Sequence, residues 1–287
     1  MSGKNLSIND EWTLIIKPKT SWFNFNLKEL WHYKDLIMLF VKRDFISVYK
    51  QTILGPLWYI IQPILTAITY SIMFGKIANI STGGTPKLVF YLAGITIWNY
   101  FSDCLNKTSN TFISNASVFG KVYFPRLTVP ISIIISNMIT FFIQLLLFIS
   151  FILYYSLTGS QIHISKYIFI LPILIIIMAG IALGVGIIIS SLTTKYRDLR
   201  FLITFSVQLL MFATPVIYPL SITSAKLKFY LLLNPLSSVV ETFRYIFIGI
   251  GEYHWLYLCY SFIFMIVVLS IGIMMFNKVE KSFMDTV

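Results

Sequence analysis

Five stretches of this chain, 51–75, 127–165, 167–194, 201–225 and 253–277, contain no Asp, Glu, Lys or Arg. An α-helix needs about 20 predominantly apolar residues to cross the hydrocarbon core of a bilayer. Only a helix or a closed barrel can satisfy its own backbone there. Each stretch is long enough for a crossing, and a less clean one begins at Leu88 and runs past Asp103 to Asn106. The pattern predicts an all-α membrane protein with six transmembrane helices, near 53–75, 88–108, 128–156, 168–192, 201–219 and 255–276.

Composition agrees. The chain is 57% hydrophobic and 11% charged, with a mean hydropathy of +0.81, whereas soluble domains carry about 25% charged residues. The spans leave no room for a soluble domain of ordinary size. A formal charge of +11 would suit nucleic acid, but the basic residues sit between and beside the apolar runs, as the positive-inside rule requires. Nucleic acid is therefore not an expected partner. The first fifty residues are polar and mixed, without the short apolar core of a signal peptide. Cys104 and Cys259, the only cysteines, lie in apolar surroundings and read as packing thiols.

Basic residues also set the expected orientation. With both termini in the cytoplasm, 16 of the 22 Lys and Arg residues fall on that side, leaving Lys76, Lys87, Lys166, Lys226, Lys228 and Arg244 outside. The expected organisation is a cytoplasmic segment over 1–52, the six-span domain over 53–276 and a cytoplasmic tail over 277–287.

Two segments depart from simple spans. In 28–50, Lys28, Asp35, Lys42, Arg43 and Lys50 fall on one helical face, with Leu30, Tyr33, Ile37, Val41 and Val48 opposite. That pattern predicts an amphipathic helix along the cytoplasmic membrane surface. The segment 226–250 is apolar but broken by Asn234-Pro235 and followed by Glu241 and Arg244. Each half is too short to cross, so two short re-entrant helices on the outer side are expected.

Enzyme signatures are missing. No Gly-x-x-x-x-Gly-Lys-Ser/Thr loop is present to cradle a nucleotide triphosphate. His32, His163 and His254 lack metal-ligand spacing, and no Asp-x-Asp pair could hold the metal of a sugar-nucleotide transferase. Asp103 is the sole acidic residue within a predicted span, and Lys107 one turn later suits an i,i+4 pair. Such a chain needs an energy source outside itself.

Glu29-Leu-Trp-His-Tyr-Lys-Asp-Leu36, Val41-Lys-Arg-Asp-Phe45 and Tyr49-Lys-Gln-Thr-Ile-Leu-Gly-Pro-Leu-Trp58 open a series of motifs. Gln62-Pro63, Phe74-Gly75, Ala93-Gly94 with Trp98, and Lys121-Val-Tyr-Phe-Pro-Arg126 ahead of Pro130 continue it. Tyr196-Arg-Asp198, Ala213-Thr-Pro-Val-Ile-Tyr-Pro219, Leu233-Asn-Pro235 and Phe243-Arg244 complete it. In order and in place, these motifs resemble the permease family of ABC-type polysaccharide exporters, specifically its O-antigen branch. The resemblance runs from about residue 12 to 250. It implies a homodimer bound to two copies of a separate nucleotide-binding ATPase. No cofactor would be bound by this chain; ATP and Mg would sit on the partner. The implied substrate is a polysaccharide carried on undecaprenyl diphosphate.

Roles can be expected on that basis. The loop 109–126 has the position of a coupling helix, with Val118, Phe119, Val122, Tyr123 and Phe124 for an ATPase groove and Lys121 and Arg126 at its rim. Arg197, in the next cytoplasmic loop, is a second candidate contact. Lys42, Arg43 and Lys50 would meet the lipid diphosphate at its entrance, or simply anionic headgroups. Trp58, Tyr59, Tyr70, Phe205, Phe212 and Tyr218 offer flat amphipathic surfaces for a sliding glycan, though a membrane-interface belt would use the same residues. Asn234, Pro235, Glu241 and Arg244 fall where an outer gate would be. A membrane-embedded glycan transferase and an ion-coupled carrier are the competing classes. The first would act without a partner, and the second would depend on Asp103 or Glu241.

Overall fold

The structure, a computed structural model, describes residues 27–283 apart from 51, 123, 161 and 197. Among these residues the architecture is helical throughout. At the amino end, α1 (Leu27–His32) and α2 (Lys34–Lys50) follow each other with a break at Tyr33. The helix expected over 28–50 is thus two helices. Phe40 and Val41 turn inward from α2, while Lys42, Arg43 and Lys50 stay exposed.

A 3₁₀ turn, Gly55–Leu57, leads into α3 (Trp58–Tyr70), which continues as a π-helix over Ser71–Ile77. Next come α4 (Lys87–Ser109), the short α5 (Thr111–Ser114) and α6 (Ala116–Phe119), and the long α7 (Thr128–Leu157). A 3₁₀ turn at Lys166–Ile170 precedes α8 (Leu171–Thr193), followed by α9 (Leu199–Phe212). The chain ends in α10 (Ala225–Leu233), α11 (Pro235–Ile248) and α12 (Trp255–Phe283).

Five helical stretches among the described residues are long and apolar enough to cross a membrane: Gly55–Ile77, Lys87–Ser109, Thr128–Leu157, Lys166–Thr193 and Trp255–Val279. The segment expected as a span over 201–219 differs. Its helix, α9, has 14 residues, about 21 Å at 1.5 Å per residue, short of the roughly 30 Å hydrocarbon core. Pro215 explains the stop, since it has no N–H to donate and disfavours helix in the residue before it.

The core is built around α4. Its side chains from Val89 to Phe101 are buried almost without interruption, enclosed by α3, α7, α8 and α11. Close approach on two sides needs glycine. At Gly184 a Cβ would fall 2.8 Å from the Leu269 backbone nitrogen, so α8 and α12 cross backbone to backbone. At Gly94 it would fall 2.6 Å from the Val216 carbonyl oxygen, which lets the turn after α9 lie directly on α4. A second, aromatic cluster gathers Phe40, Phe112, Phe119, Phe124 and Phe276. Phe112 stacks on Phe276 at 4.6 Å between ring centroids, and Phe124 meets Phe40 at 5.7 Å. It ties α2 and the 109–126 loop to the end of α12.

The segment 226–250 forms the two short helices α10 and α11. Asn234 divides them, and its side-chain oxygen caps α11 by accepting from the Leu236 N–H at 3.1 Å. Pro235 follows at the first helical position, where its missing N–H costs nothing. Gly249, at φ +71°, ends α11 in the left-handed conformation that glycine adopts freely.

Candidate functional site

Where α2 meets α4, α7 and α9, an open polar cavity of about 650 Å³ enters the bundle. Arg43, Asp44 and Ser47 of α2 line it, with Tyr59 of α3 and Arg200 of α9. Asn106 and Lys107 come from the last turn of α4, and Ser136, Asn137 and Thr140 from one face of α7. Lys107 belongs at a helix carboxyl end, where a cation complements the partial negative charge. Arg200 sits in the first turn of α9, where the helix end is itself partially positive.

Charge in the cavity is unbalanced. Arg43 is committed to Asp44, with Nη2 and Oδ1 2.7 Å apart, and lies 4.8 Å over the Phe40 ring. Lys107 donates to the Asn137 side-chain oxygen at 2.7 Å, and Asn137 in turn donates to the Ile133 carbonyl at 2.9 Å. Neither Lys107 nor Arg200 has a carboxylate partner within 4.0 Å among the described residues. The i,i+4 pair expected between Asp103 and Lys107 therefore makes no contact within 4.0 Å, although the two charges still interact; the amide of α7 takes the ammonium's hydrogen bond. Two cations with no carboxylate in direct contact among the described residues, beside a helix amino end and several amides, make an environment for an anion.

Of the residues expected at a lipid entrance, Arg43 lines this cavity, whereas Lys42 and Lys50 are exposed and lie outside its lining. Lys107, Arg200 and Asn137 are not among the residues that the sequence pattern singles out. Lys107 has Asp103 one turn before it on the same helix, and local pattern does not distinguish Arg200 or Asn137. A polar amide at mid-run was the available signal.

The aromatic candidates scatter. Tyr59 lines the cavity and Trp58 is exposed. Tyr70 packs edge-on against Tyr91 at 6.2 Å. Phe205 and Phe212 are exposed along one face of α9, together with Phe201 and Leu209. Tyr218 turns back to donate to the Phe212 carbonyl at 2.9 Å, which satisfies the broken end of α9.

In the loop 109–126, Phe119 and Phe124 are only 3% and 5% exposed, taken up by the aromatic cluster. Arg126 is buried over the Phe119 ring at 5.6 Å, and Val118 is half-buried. Val122, at 59% exposure, and Lys121 form the outer surface of this loop. Tyr123 and Arg197 lie outside the described residues.

At the other end of the bundle, Arg244 is fully buried. Its Nη1 donates to the carbonyls of Pro215, at 2.5 Å, and Tyr218, at 3.3 Å, and its Nη2 donates to that of Val216. Glu241, one turn earlier and 2% exposed, pairs with it at 3.2 Å, while the Phe90 ring lies 4.0 Å from the guanidinium carbon. Asn234 adds donation to the Ala213 carbonyl and to Thr214 Oγ1. Asn234, Glu241 and Arg244 are thus brought together on the turn that breaks α9, with Pro235 starting the helix that carries the pair.

Comparison with known proteins places these features in a family. Residues 35–248 match the family described as ABC-2 type transporter. The chain is 26% identical over 251 residues to an O-antigen export system permease protein RfbA of Klebsiella pneumoniae, covering 88% of this chain and 94% of that one. It is 26% identical over 224 residues to the protein of the same name from Myxococcus xanthus, covering 77% and 83%. With its membrane-crossing helices and a family match over most of its length, this chain belongs to the ABC-2 type transporter family.

Proposed function

We propose that this chain is the inner-membrane permease of an ATP-driven exporter that moves undecaprenyl-diphosphate-linked polysaccharide, of the O-antigen type, from the cytoplasmic to the outer face. Two copies would work with two copies of a separate ATPase. The relatives named as O-antigen export permeases support the cargo class. The observation that supports the mechanism is the cavity lined by Lys107 and Arg200, neither in direct contact with a carboxylate among the described residues. A diphosphate drawn from the cytoplasmic leaflet needs cations at the point where it leaves the headgroup layer. Arg200 supplies bidentate donors and Lys107 a point charge. Arg43, paired with Asp44, shapes the entrance, and Lys42 and Lys50 attract anionic lipid nearby.

Coupling follows from the same end of the bundle. Val122 and Lys121 form the surface offered to the ATPase, since exposed apolar residues on a cytoplasmic loop call for a partner. Phe119 and Phe124 beneath them carry displacement to Phe40 of α2, beside the cavity. Close packing transmits such a shift because interiors compress little. The exposed aromatic face of α9 is suited to cover by the second copy or to contact with cargo. At the outer end, the Arg244-held turn and α10–α11 would form the gate.

The decisive experiment reconstitutes the chain with its ATPase in vesicles and follows ATP-dependent translocation of lipid-linked glycan. Export should require the ATPase and should fall when Lys107→Gln and Arg200→Gln are combined. Transport by the chain alone against a gradient would remove the proposal in favour of an ion-coupled carrier.

A further inference from the structure

The loop 109–126 is rooted at its start as well as cushioned further on. α4 ends at Ser109 and α5 begins at Thr111, with only Asn110 between. Such a junction leaves the last carbonyls of one helix and the first N–H groups of the next without intrahelical partners. Two hydroxyls of α8 serve them. Ser190 Oγ accepts from the Phe112 N–H at 3.2 Å, and Thr193 Oγ1 donates to the Ser109 carbonyl at 3.4 Å. Gly186, Ser190 and Thr193 recur at four and three along α8 and so share one face. At Gly186 a Cβ would fall 2.7 Å from Thr108 Cβ, so that face lies directly against the end of α4. Gly186, Ser190, Thr193, Thr108, Ser109 and Phe112 are all buried.

The far half of the loop is held differently. Asn115, with φ −116° and ψ 15°, separates α5 from α6. Beyond it the loop rests on rings: Phe119 meets Phe124 at 5.7 Å, and Phe124 meets Phe40 of α2. Apolar contact is non-directional, whereas a hydrogen bond weakens steeply as its angle closes. The near half is therefore fixed in register on α8, while the far half presses on α2 through a surface that can slide. α8 is in turn locked to α12, which it crosses backbone to backbone at Gly184.

Polar side chains between helices in a membrane are commonly adhesive. These two act more narrowly, because they hold backbone groups at the root of the segment offered to the ATPase. A loop without them would swing as a flap and absorb the stroke in its own displacement. We infer that Ser190 and Thr193 are positioning residues for coupling: they seat the loop on α8, so that a stroke received at Val122 drives the α8–α12 pair. The inference deepens the export proposal and rests on it for the origin of the stroke.

The test uses the full chain with its ATPase in vesicles and measures ATP hydrolysed per glycan exported. Ser190→Ala and Thr193→Val should each raise that ratio about fivefold, the order of one buried hydrogen bond. Thr193→Ser, which keeps the hydroxyl, should hold the wild-type ratio. A second measurement needs no transport. Spin labels on Ser114→Cys and Leu192→Cys, both exposed positions, report the distance between α5 and the end of α8. Cys259→Ser removes the accessible native thiol, and Cys104 is buried. The otherwise unchanged chain should give one narrow distance, and Ser190→Ala or Thr193→Val a broad one. Hydrolysis and export that fall together at a constant ratio, with the distance still narrow, would reduce the pair to helix packing and overturn the inference. A raised ratio in Thr193→Ser would overturn it too. Where Thr193→Val does not fold, Ser190→Ala decides alone. Absence of ATP-driven export by the wild type would remove the export proposal instead, and the label distance would still judge the seating on α8.

Discussion

Arg244 reaches across 29 residues of sequence to donate from Nη1 to the carbonyl of Pro215 at 2.5 Å, and both groups lie inside the protein. The contact answers a problem that Pro215 creates. A helix broken within an apolar bundle leaves carbonyls without donors, and each costs free energy if left unsatisfied. One guanidinium serves three of them, and Glu241 balances its charge. Replacing Arg244 by Met should therefore destabilise the protein by about 3–5 kcal/mol, because Glu241 is left buried without its partner. The double variant Arg244→Met with Glu241→Leu should recover part of the loss. Thermal unfolding of the four proteins of the cycle gives the coupling; additive losses would show that the pair does not act as a unit.

Gly94 should tolerate nothing larger. A methyl group there would lie 2.6 Å from the Val216 oxygen and 2.8 Å from Arg244 Nη2, so Gly94→Ala pushes the turn off α4 at a cost of about 1–3 kcal/mol. Gly120→Ala is the control, with its nearest atom, the Ala116 oxygen, at 3.7 Å. A lower melting temperature for the first and an unchanged one for the second is the expected pattern.

The link between α10 and the loop before α12 should depend on acid. Lys228 is hydrogen-bonded to Glu252, and His254 Nε2 lies 3.3 Å from the other carboxylate oxygen. Burial opposes ionisation of Glu252, yet the Lys228 hydrogen bond and charge, joined by His254, hold its carboxyl below the ordinary 4.5. A carboxyl lowered in the folded state adds stability that is complete above its unfolded value and is lost as pH falls through the folded one. Hydrogen exchange of 225–254 should accelerate only below the ordinary carboxylate range. Glu252→Gln should abolish that acid step and exchange faster at neutral pH.

Coupling and folding should separate within the 109–126 loop. Val122→Asp places a charge on an exposed surface, so insertion and melting should hold while ATP-driven export falls. Phe119→Asp buries a carboxylate beside Phe112 and Phe124, and should lower the yield of folded protein before any transport can be measured. Pull-down of the ATPase by Val122→Asp at the wild-type level would move the coupling surface elsewhere.

Cations at the cavity should rank by place rather than by charge. Lys107→Gln and Arg200→Gln should each reduce lipid-linked glycan export by about tenfold, the order expected for one strong charged contact. Lys42→Gln, exposed and outside the cavity, should change it little. Export rates in vesicles at matched protein level make the comparison, and an equal effect from Lys42→Gln would point to general attraction of anionic lipid.

The membrane-crossing character of this chain was written in its local pattern. Charge-free runs such as 127–165 and 167–194 have one low-energy outcome in a bilayer, so α7 and α8 could be read without knowing their neighbours. The same locality exposed Asn234-Pro235 as a break between two short helices. It overran at 201–219, where hydropathy alone continued past the stop that Pro215 imposes. What local pattern could not supply was company. Lys107 had a carboxylate four residues away, yet packing gave it Asn137, 30 residues on. Phe119 and Phe124 had the look of an exposed patch until α2 and α12 closed over them. Arg244 sat in an outer loop by sequence and became the fully buried centre of the turn after α9. A side chain's period along its own helix is set by the backbone, whereas its partner, burial and charge balance depend on which helices pack beside it. The sequence therefore determined the long apolar spans other than 201–219, and only the tertiary structure decided where their polar groups converge.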